Sequence, residues 1–417
     1  MAGSELGAVF RVREFRVLWA AELFSIAGDQ LARVALAVLV YGRTGSAAWA
    51  AATYALTFLP ALLGGFLLSG LADRYRRREV MITSDVLRAV LVAAMAIPQL
   101  PLWALCTLLV LVVLLGSPHT AAQGALLPEI LRDELYERGL AVRQITSQTA
   151  QLVGFATGGL LVAAISPSLA LLGNALTFAL SAVLVRVGVA RRPRPGGSDA
   201  ASDTSIGGLR GVVTGLTEIA TDPRRRALVL LAWLVGWYAV PEALAAPYAD
   251  QLGAGTAVVG LLMAADPLGS VLGAWAFVRF VPAETRARLV GVLAVGAGLP
   301  LLVCLARPGI PLTLVLWGVS GMLATAYLLQ TQASFVRATP EAGRGRAIGV
   351  AASGIIAAQG AAVLVGGFFA ELWDPATAIA VAGALGAALS FAGAVAWRRA
   401  NRASAEVLTP AVAPSTG

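Results

Sequence analysis

Long apolar blocks such as Ala47 to Leu68, Leu102 to Leu115 and Leu228 to Tyr238, parted by short turns rich in Pro, Gly and Arg, constrain this chain more than any other feature. A helix of about 20 residues rises about 30 Å, which is the thickness of a bilayer's hydrocarbon core. Only 13% of the residues are charged and 58% are hydrophobic, against about 25% charged in an ordinary globular domain. The expected fold is therefore an all-α polytopic membrane protein rather than a soluble domain.

Hydropathy places twelve transmembrane helices at about residues 17–41, 46–70, 79–97, 101–125, 139–165, 168–188, 224–250, 257–280, 286–305, 311–333, 344–371 and 374–396. An even number puts both termini on one side. All 31 basic residues are arginine; 27 fall in loops on the side of the termini, and only Arg43 and Arg307 on the other. Positive charge stays in the cytoplasm during insertion, so both termini are expected there, in a cell membrane. Met1 to Arg16 shows no cleavable signal pattern, so the first span is expected to be retained.

The Pro/Gly/Ser/Asp-rich stretch between spans 6 and 7 divides the chain. The expected organisation is an N-terminal segment 1–16, a six-helix bundle 17–188, a linker 189–223 with a surface helix near 206–219, a second bundle 224–396, and a tail 397–417, disordered beyond Arg402. An internal repeat supports the division. A shift of 208 residues superimposes Arg138 on Arg346, Val142 on Val350, Gln151 on Gln359, Gly158-Gly159 on Gly366-Gly367 and Pro167 on Pro375. Spans 5 and 11 are then equivalents in two parallel, pseudo-symmetric halves.

The same composition excludes several functions. No lysine occurs, so neither a Walker A loop nor a Schiff-base cofactor can be built. Energy must come from a gradient or a partner. Two cysteines and one histidine assemble no metal site, and no cofactor is expected. The net charge of +8 lies in interhelical loops rather than a separate stripe, which argues against nucleic acid. Gly318-Val319-Ser320-Gly321 matches the nucleophile pattern of intramembrane rhomboid proteases. The sole histidine, His119, precedes that serine by about 200 residues in the other half, so no enzyme is expected.

Within span 1, Glu22, Asp29 and Arg33 are offset by seven and eleven residues, which puts them within about 40° of one helical face. A charge near the centre of a membrane helix costs roughly 2.5–3.5 kcal/mol on insertion scales. Asp29 is thus either locked in a static pair with Arg33 or exchanges a proton as its access alternates, with Glu22 the second candidate carrier. Pro241-Glu242 in span 7 and Asp266-Pro267 in span 8 break the backbone ladder, which is tolerated beside protein or water; Glu242 and Asp266 are expected to line a cavity. Asp85 and Arg88 form an i, i+3 pair. His119 reads as a packed, hydrogen-bonded side chain. Tyr54, Trp233, Trp237 and Tyr238 line a pocket or form an interfacial belt. Gly154, Gly158 and Gly159 make a small-residue packing face.

The run Gly70-Leu71-Ala72-Asp73-Arg74-Tyr75-Arg76-Arg77-Arg78 resembles the signature loop of the major facilitator superfamily. Phe15-Arg16-Val17-Leu18-Trp19, with Gly28-Asp29 and Arg33, resembles its drug:proton antiporter branch of macrolide and siderophore exporters. The resemblance implies a monomeric secondary transporter that exports a hydrophobic or amphipathic small molecule in exchange for protons by alternating access. It also implies that Gly70, Asp73, Arg74, Arg77 and Arg78 latch the halves in the outward-facing state, Asp73 meeting the start of span 11 near Gly343 to Arg346. Read without the resemblance, the loop is a positive anchor at the lipid surface. Many drug antiporters bury an arginine in span 4; here none lies between Arg88 and Arg132. The alternatives are a solute importer or facilitator, a lysolipid permease, or a non-transporting membrane partner.

Overall fold

The computed structural model describes residues 7–68, 70–132, 134–194, 209–341 and 343–408. Residues 1–6, 195–208 and 409–417, on which parts of the expected N-terminal segment, linker and tail fall, lie outside the described residues. The helices are α1 (Arg13–Thr44), α2 (Ala47–Gly65), α3 (Arg77–Met95), α4 (Leu102–Ile130), α5 (Glu134–Ala164), α6 (Pro167–Gly188), α7 (Pro223–Ala243), α8 (Thr256–Phe280), α9 (Glu284–Ala306), α10 (Ile310–Ala338), α11 (Arg344–Leu372) and α12 (Pro375–Asn401). Ten are long and apolar enough to cross a membrane. The other two, α3 and α5, reach 19 and 31 residues but carry too many polar side chains to qualify on composition. Helix α3 carries the buried Asp85 and Arg88.

Turn chemistry starts and stops these helices. Gly45, at φ 63°, ends α1 with its N–H on the Tyr41 carbonyl, and Ser46 caps α2 by accepting from the Trp49 N–H. Pro167 and Pro223 open α6 and α7 behind the caps Ser166 and Asp222. Proline at the first helical position sacrifices no hydrogen bond. Large apolar side chains such as Leu176, Val187, Trp275 and Phe280 stay exposed on the outside, as expected of helices facing lipid.

Proline has two outcomes inside the spans. Pro267 sits within an unbroken α8. Span 7 instead tightens into a 3-10 stretch, Leu234–Ala239, and continues beyond Pro241 only as the short helix Ala245–Gln251. Between α6 and α7 the surface helix Leu209–Ala220 forms; the expected start near 206 lies outside the described residues. The last helix runs on to Leu408, past the expected end of span 12 near 396, and the expected disorder from 402 is corrected: nothing in Trp397 to Leu408 is a strong helix breaker.

The two bundles meet along α5 with α8 and α2 with α11, pairs that exchange when six helices are added to each number. A Cβ on Gly159 of α5 would lie 2.7 Å from the Cα of Gly260 in α8, so the backbones touch directly. Gly367, the repeat-equivalent of Gly159, packs the same way on Ala51 of α2. Side-chain hydrogen bonds reinforce this arginine-poor end: the Tyr41 hydroxyl donates to Asp250 at 3.0 Å and the Ser46 hydroxyl to Glu371 at 2.9 Å. Both arginines of that end are used structurally. Arg43 donates to the Leu100 carbonyl and Arg307 lies 3.7 Å from Asp374.

Substituting Gly159 or Gly260 by leucine is expected to force the bundles apart at this end, at a cost of about 1–3 kcal/mol of overpacking. Cysteine labelling at Ala48 should then become faster; unchanged labelling would refute the close contact.

Asp374 caps the last helix and accepts from Gln251 at 2.6 Å and the Thr377 hydroxyl at 2.5 Å. Burial alone would raise its carboxyl. The hydrogen bonds from Thr377 and Gln251 and the charge of Arg307 outweigh that and hold it below its ordinary value. A depressed acid stabilises the fold above its unfolded value near about 3.9, and the contribution disappears as pH falls through the native value. The thermal-stability gap between the wild type and Asp374→Asn is therefore expected to be full at neutral pH and to close below about pH 4.

Candidate transport site

A three-residue offset on α3 puts Asp85 and Arg88 on one face. Asp85 is fully buried. It accepts from the Ser181 hydroxyl of α6 at 2.6 Å, and Nδ1 of His119 from α4 stands 3.0 Å from its Oδ1. That histidine contact has ion-pair distance without hydrogen-bond alignment. Arg88 extends Nη1 to within 3.8 Å of Asp85 and donates through Nη2 to Asp29 of α1 at 3.1 Å, while its guanidinium lies 3.9 Å from the centre of the Phe178 ring. One cation thus serves two carboxylates. They differ in solvation: the Asp29 side chain is 35% exposed and that of Asp85 0%.

Asp29, Arg33 and Arg88 line a cavity of about 610 Å³ together with Thr57, Ser117, Asn174 and the apolar Leu36, Val92 and Met95. Its lining residues all come from the first bundle. The volume falls within the range of small-molecule sites, and the wall is mostly apolar with a few convergent polar groups.

Three expectations on α1 and α3 resolve here. The static Asp29–Arg33 pair is corrected, because Asp29 pairs with Arg88 and Arg33 turns to the Phe58 and Tyr54 rings at 5.3 and 6.0 Å. The ring faces give the guanidinium a favourable seat, and Arg88 already occupies the carboxylate. Glu22 is not free in the cavity either: Arg143 of α5 grips it through two hydrogen bonds of 2.7 Å. The Asp85–Arg88 pair is present, but it forms one side of a larger network.

Glu242 and Asp266, expected to line a cavity in the second half, do not line this one. They lie near each other at the junction of the bundles, where Glu242 interacts electrostatically with Arg33 and Tyr54. Glu242 Oε1 and the Tyr54 hydroxyl are buried there without an aligned hydrogen bond. The close packing of α2, α8 and α11 at the arginine-poor end covers them. Arg33 is consequently the cation that faces Glu242 of the second bundle, while Arg88 serves Asp29 and Asp85 of the first.

The signature-loop residues also sit elsewhere than expected. Gly70 precedes a single helical turn, Leu71–Arg74, and Asp73 and Arg74 are exposed without a side-chain partner among the described residues. Arg77 reaches Glu129 and the Ala125 carbonyl, and Arg78 reaches Glu79 and the Arg186 carbonyl, all within the first bundle. At the start of α11, Glu218 of the surface helix pairs with Arg346 at 3.6 Å and lies against Gly343. It occupies the position expected for Asp73, because the bundles are pressed together at the opposite end.

Gly154 and Gly158 pack on Gln30 and Val34 of α1, and Gly159 on α8. Tyr54, Trp233, Trp237 and Tyr238 do not line the cavity. The Tyr238 hydroxyl donates to Ala294 and Trp233 to Ala351, inside the second bundle, and Tyr54 is buried. Sequence reasoning missed Ser181, Arg143 and the bond from Arg88 to Asp29. The one available signal was an arginine at mid-depth in span 3 that compensates for the missing arginine of span 4.

A model of the Major Facilitator Superfamily matches residues 18–280. The multidrug efflux pump Tap of Mycolicibacterium fortuitum is 27% identical over 374 residues, spanning 85% of this chain and 88% of that protein. The uncharacterised MFS-type transporter YvqJ of Bacillus subtilis (strain 168) is 27% identical over 69% of this chain and 68% of its own. Among solved structures, a POT family transporter in complex with 5-aminolevulinic acid superimposes with a TM-score of 0.72 at 12% identity, covering 93% of this chain and 96% of that one. A variant of the nucleoside transporter NupG gives 0.70 at 14% identity, with 92% and 99% covered. At such identities the structures share the fold alone.

Asp85→Asn is expected to lower stability by roughly 3 kcal/mol or more, because it strips a buried network of its anion. Asp29→Asn, at a partly hydrated pair, should cost roughly 1 kcal/mol or less. Thermal unfolding of both variants in detergent measures the difference, and equal losses would contradict the distinction.

Proposed function

The chain belongs to the major facilitator superfamily, and on that premise we propose that it is a proton-coupled exporter of a hydrophobic or amphipathic small molecule. Two bundles, 17–188 and 224–396, rock about a substrate site, with 189–223 as their link. The observation that carries this reading is the shared guanidinium of Arg88, with one carboxylate in the cavity and one sealed.

A proton arriving on Asp29 cancels its charge and releases Nη2 of Arg88, whose remaining anion is Asp85 behind it. Asp29 is then free of the pair, and the cavity wall beside it becomes less polar. Loss of the proton restores the pair. Asp29 is the carrier; Arg88 is its counterion, and Asp85, Ser181 and His119 position Arg88. Glu22, held by Arg143, braces α1 against α5. Arg33, Glu242 and Asp266 act where the bundles meet, so that the charge state of this junction bears on whether they close there. A ligand with apolar bulk suits the lining, and 27% identity to a multidrug efflux pump over most of both chains supports an export direction.

The arginine-rich face is read as cytoplasmic and the protein as a monomer in the cell membrane. In the opposite state, with the arginine-poor end parted, Asp73 would exchange solvent for the start of α11, and Gly70, Arg74, Arg77 and Arg78 would complete the latch.

The test is efflux from a host stripped of its own pumps, across panels of antibiotics, dyes and siderophores. Asp29→Asn is expected to abolish uphill efflux while the protein reaches the membrane in normal amount, and a protonophore should abolish it in the wild type. Undiminished efflux by the variant would remove Asp29 from the mechanism.

A further inference from the structure

At the arginine-rich end of the first bundle, where α3 begins, α4 ends and residues 190–194 leave α6, lies a second cavity of about 460 Å³. It shares no lining residue with the transport site. Seven arginines and two glutamates line it, leaving five positive charges in excess. Both glutamates are already shared. Glu129 takes Arg77 and Arg192, and Glu79 takes Arg78 and Arg191. Arg76, Arg132 and Arg194 have no hydrogen bond or ion pair for their side chains among the described residues.

The inner wall points the same way. Nε of Arg77, Nε of Arg78 and Nη1 of Arg192 are buried donors that have no acceptor. Buried N–H groups nearly always have partners; Glu14, 2.8 Å from Arg192, adds a third carboxylate beside the pocket and still leaves the seven arginines in excess. Retention of arginine on one membrane face requires positive loops. It does not require that seven arginines converge on one void with only two glutamates in its lining. A planar guanidinium fork matches phosphate oxygens two at a time, and every cation here is a guanidinium. Leu126 and Pro128 add an apolar patch to the wall.

We propose that this pocket binds a phosphate group, carried either on the headgroup of an anionic phospholipid or on a small soluble phosphate. Because Arg77 and Arg78 belong to the signature loop, the bound anion holds that loop on its own bundle.

The experiment uses the full chain purified in a neutral detergent and native mass spectrometry with three probes: phosphatidylglycerol, phosphatidylcholine with the same acyl chains, and inorganic pyrophosphate. The variant is Arg132→Gln with Arg194→Gln, two side chains without partners to lose; Arg76→Gln serves if that pair fails to fold. Arg398→Gln with Arg399→Gln, exposed in the other bundle, controls for the charge removed. Phosphatidylglycerol or pyrophosphate is expected to bind at least about tenfold more weakly to the variant and unchanged to the control, as befits loss of charge-assisted bonds. Binding of the lipid alone identifies the headgroup as the source, and binding of both probes a general phosphate site. Equal retention of phosphatidylcholine, equal weakening in variant and control, or no binding of either anionic probe would overturn the proposal.

Discussion

A guanidinium held between two carboxylates in an apolar interior is the interaction on which the first bundle depends. Each of these charges would be expensive alone in a low dielectric, and together they are tolerable only if their geometry is complete. Asp85 meets that condition on the sealed side, with Arg88, the Ser181 hydroxyl and His119 around it. Asp29 meets it from the cavity side, with its side chain 35% exposed there. The asymmetry separates two environments that identical side chains could otherwise share: the dry one fixes helices, and the other stays open to the cavity.

The way the bundles touch determines what every other charged group meets. Backbone contact between Gly159 and Gly260, repeated in near-symmetric form at Gly367 and Ala51, brings the arginine-poor ends of α2, α5, α8 and α11 together. That closure covers Glu242 and Asp266 and brings Arg33 toward Glu242. It also explains why Arg77 and Arg78 satisfy themselves on their own bundle while Glu218 takes the start of α11.

Having arginine as the sole cation serves three different environments here. In the interior, its delocalised charge lies on Phe178, Phe58 and Tyr54 as well as beside carboxylates. On α5 its fork grips Glu22 through two bonds. At the membrane surface several converge on one cavity. A point-like ammonium suits none of these arrangements as well.

The amino-acid sequence by itself determined the all-helical membrane fold, the two related halves, the face that carries the arginines, and the presence of Asp29 and its neighbours on an inward face of span 1. These follow from local properties: hydropathy, charge count and helical period act within one span or its adjoining loop. Partner choice was a matter for the tertiary structure. Asp29 has Arg33 one turn away on its own helix and Arg88 on another, and only the distance between α1 and α3, with the aromatic seat offered by Phe58, makes Arg88 its counterion. Likewise Glu242 and Asp266 have the composition of cavity residues, yet the approach of one bundle to the other decides whether water reaches them, and that approach is a sum of contacts spread over the whole chain.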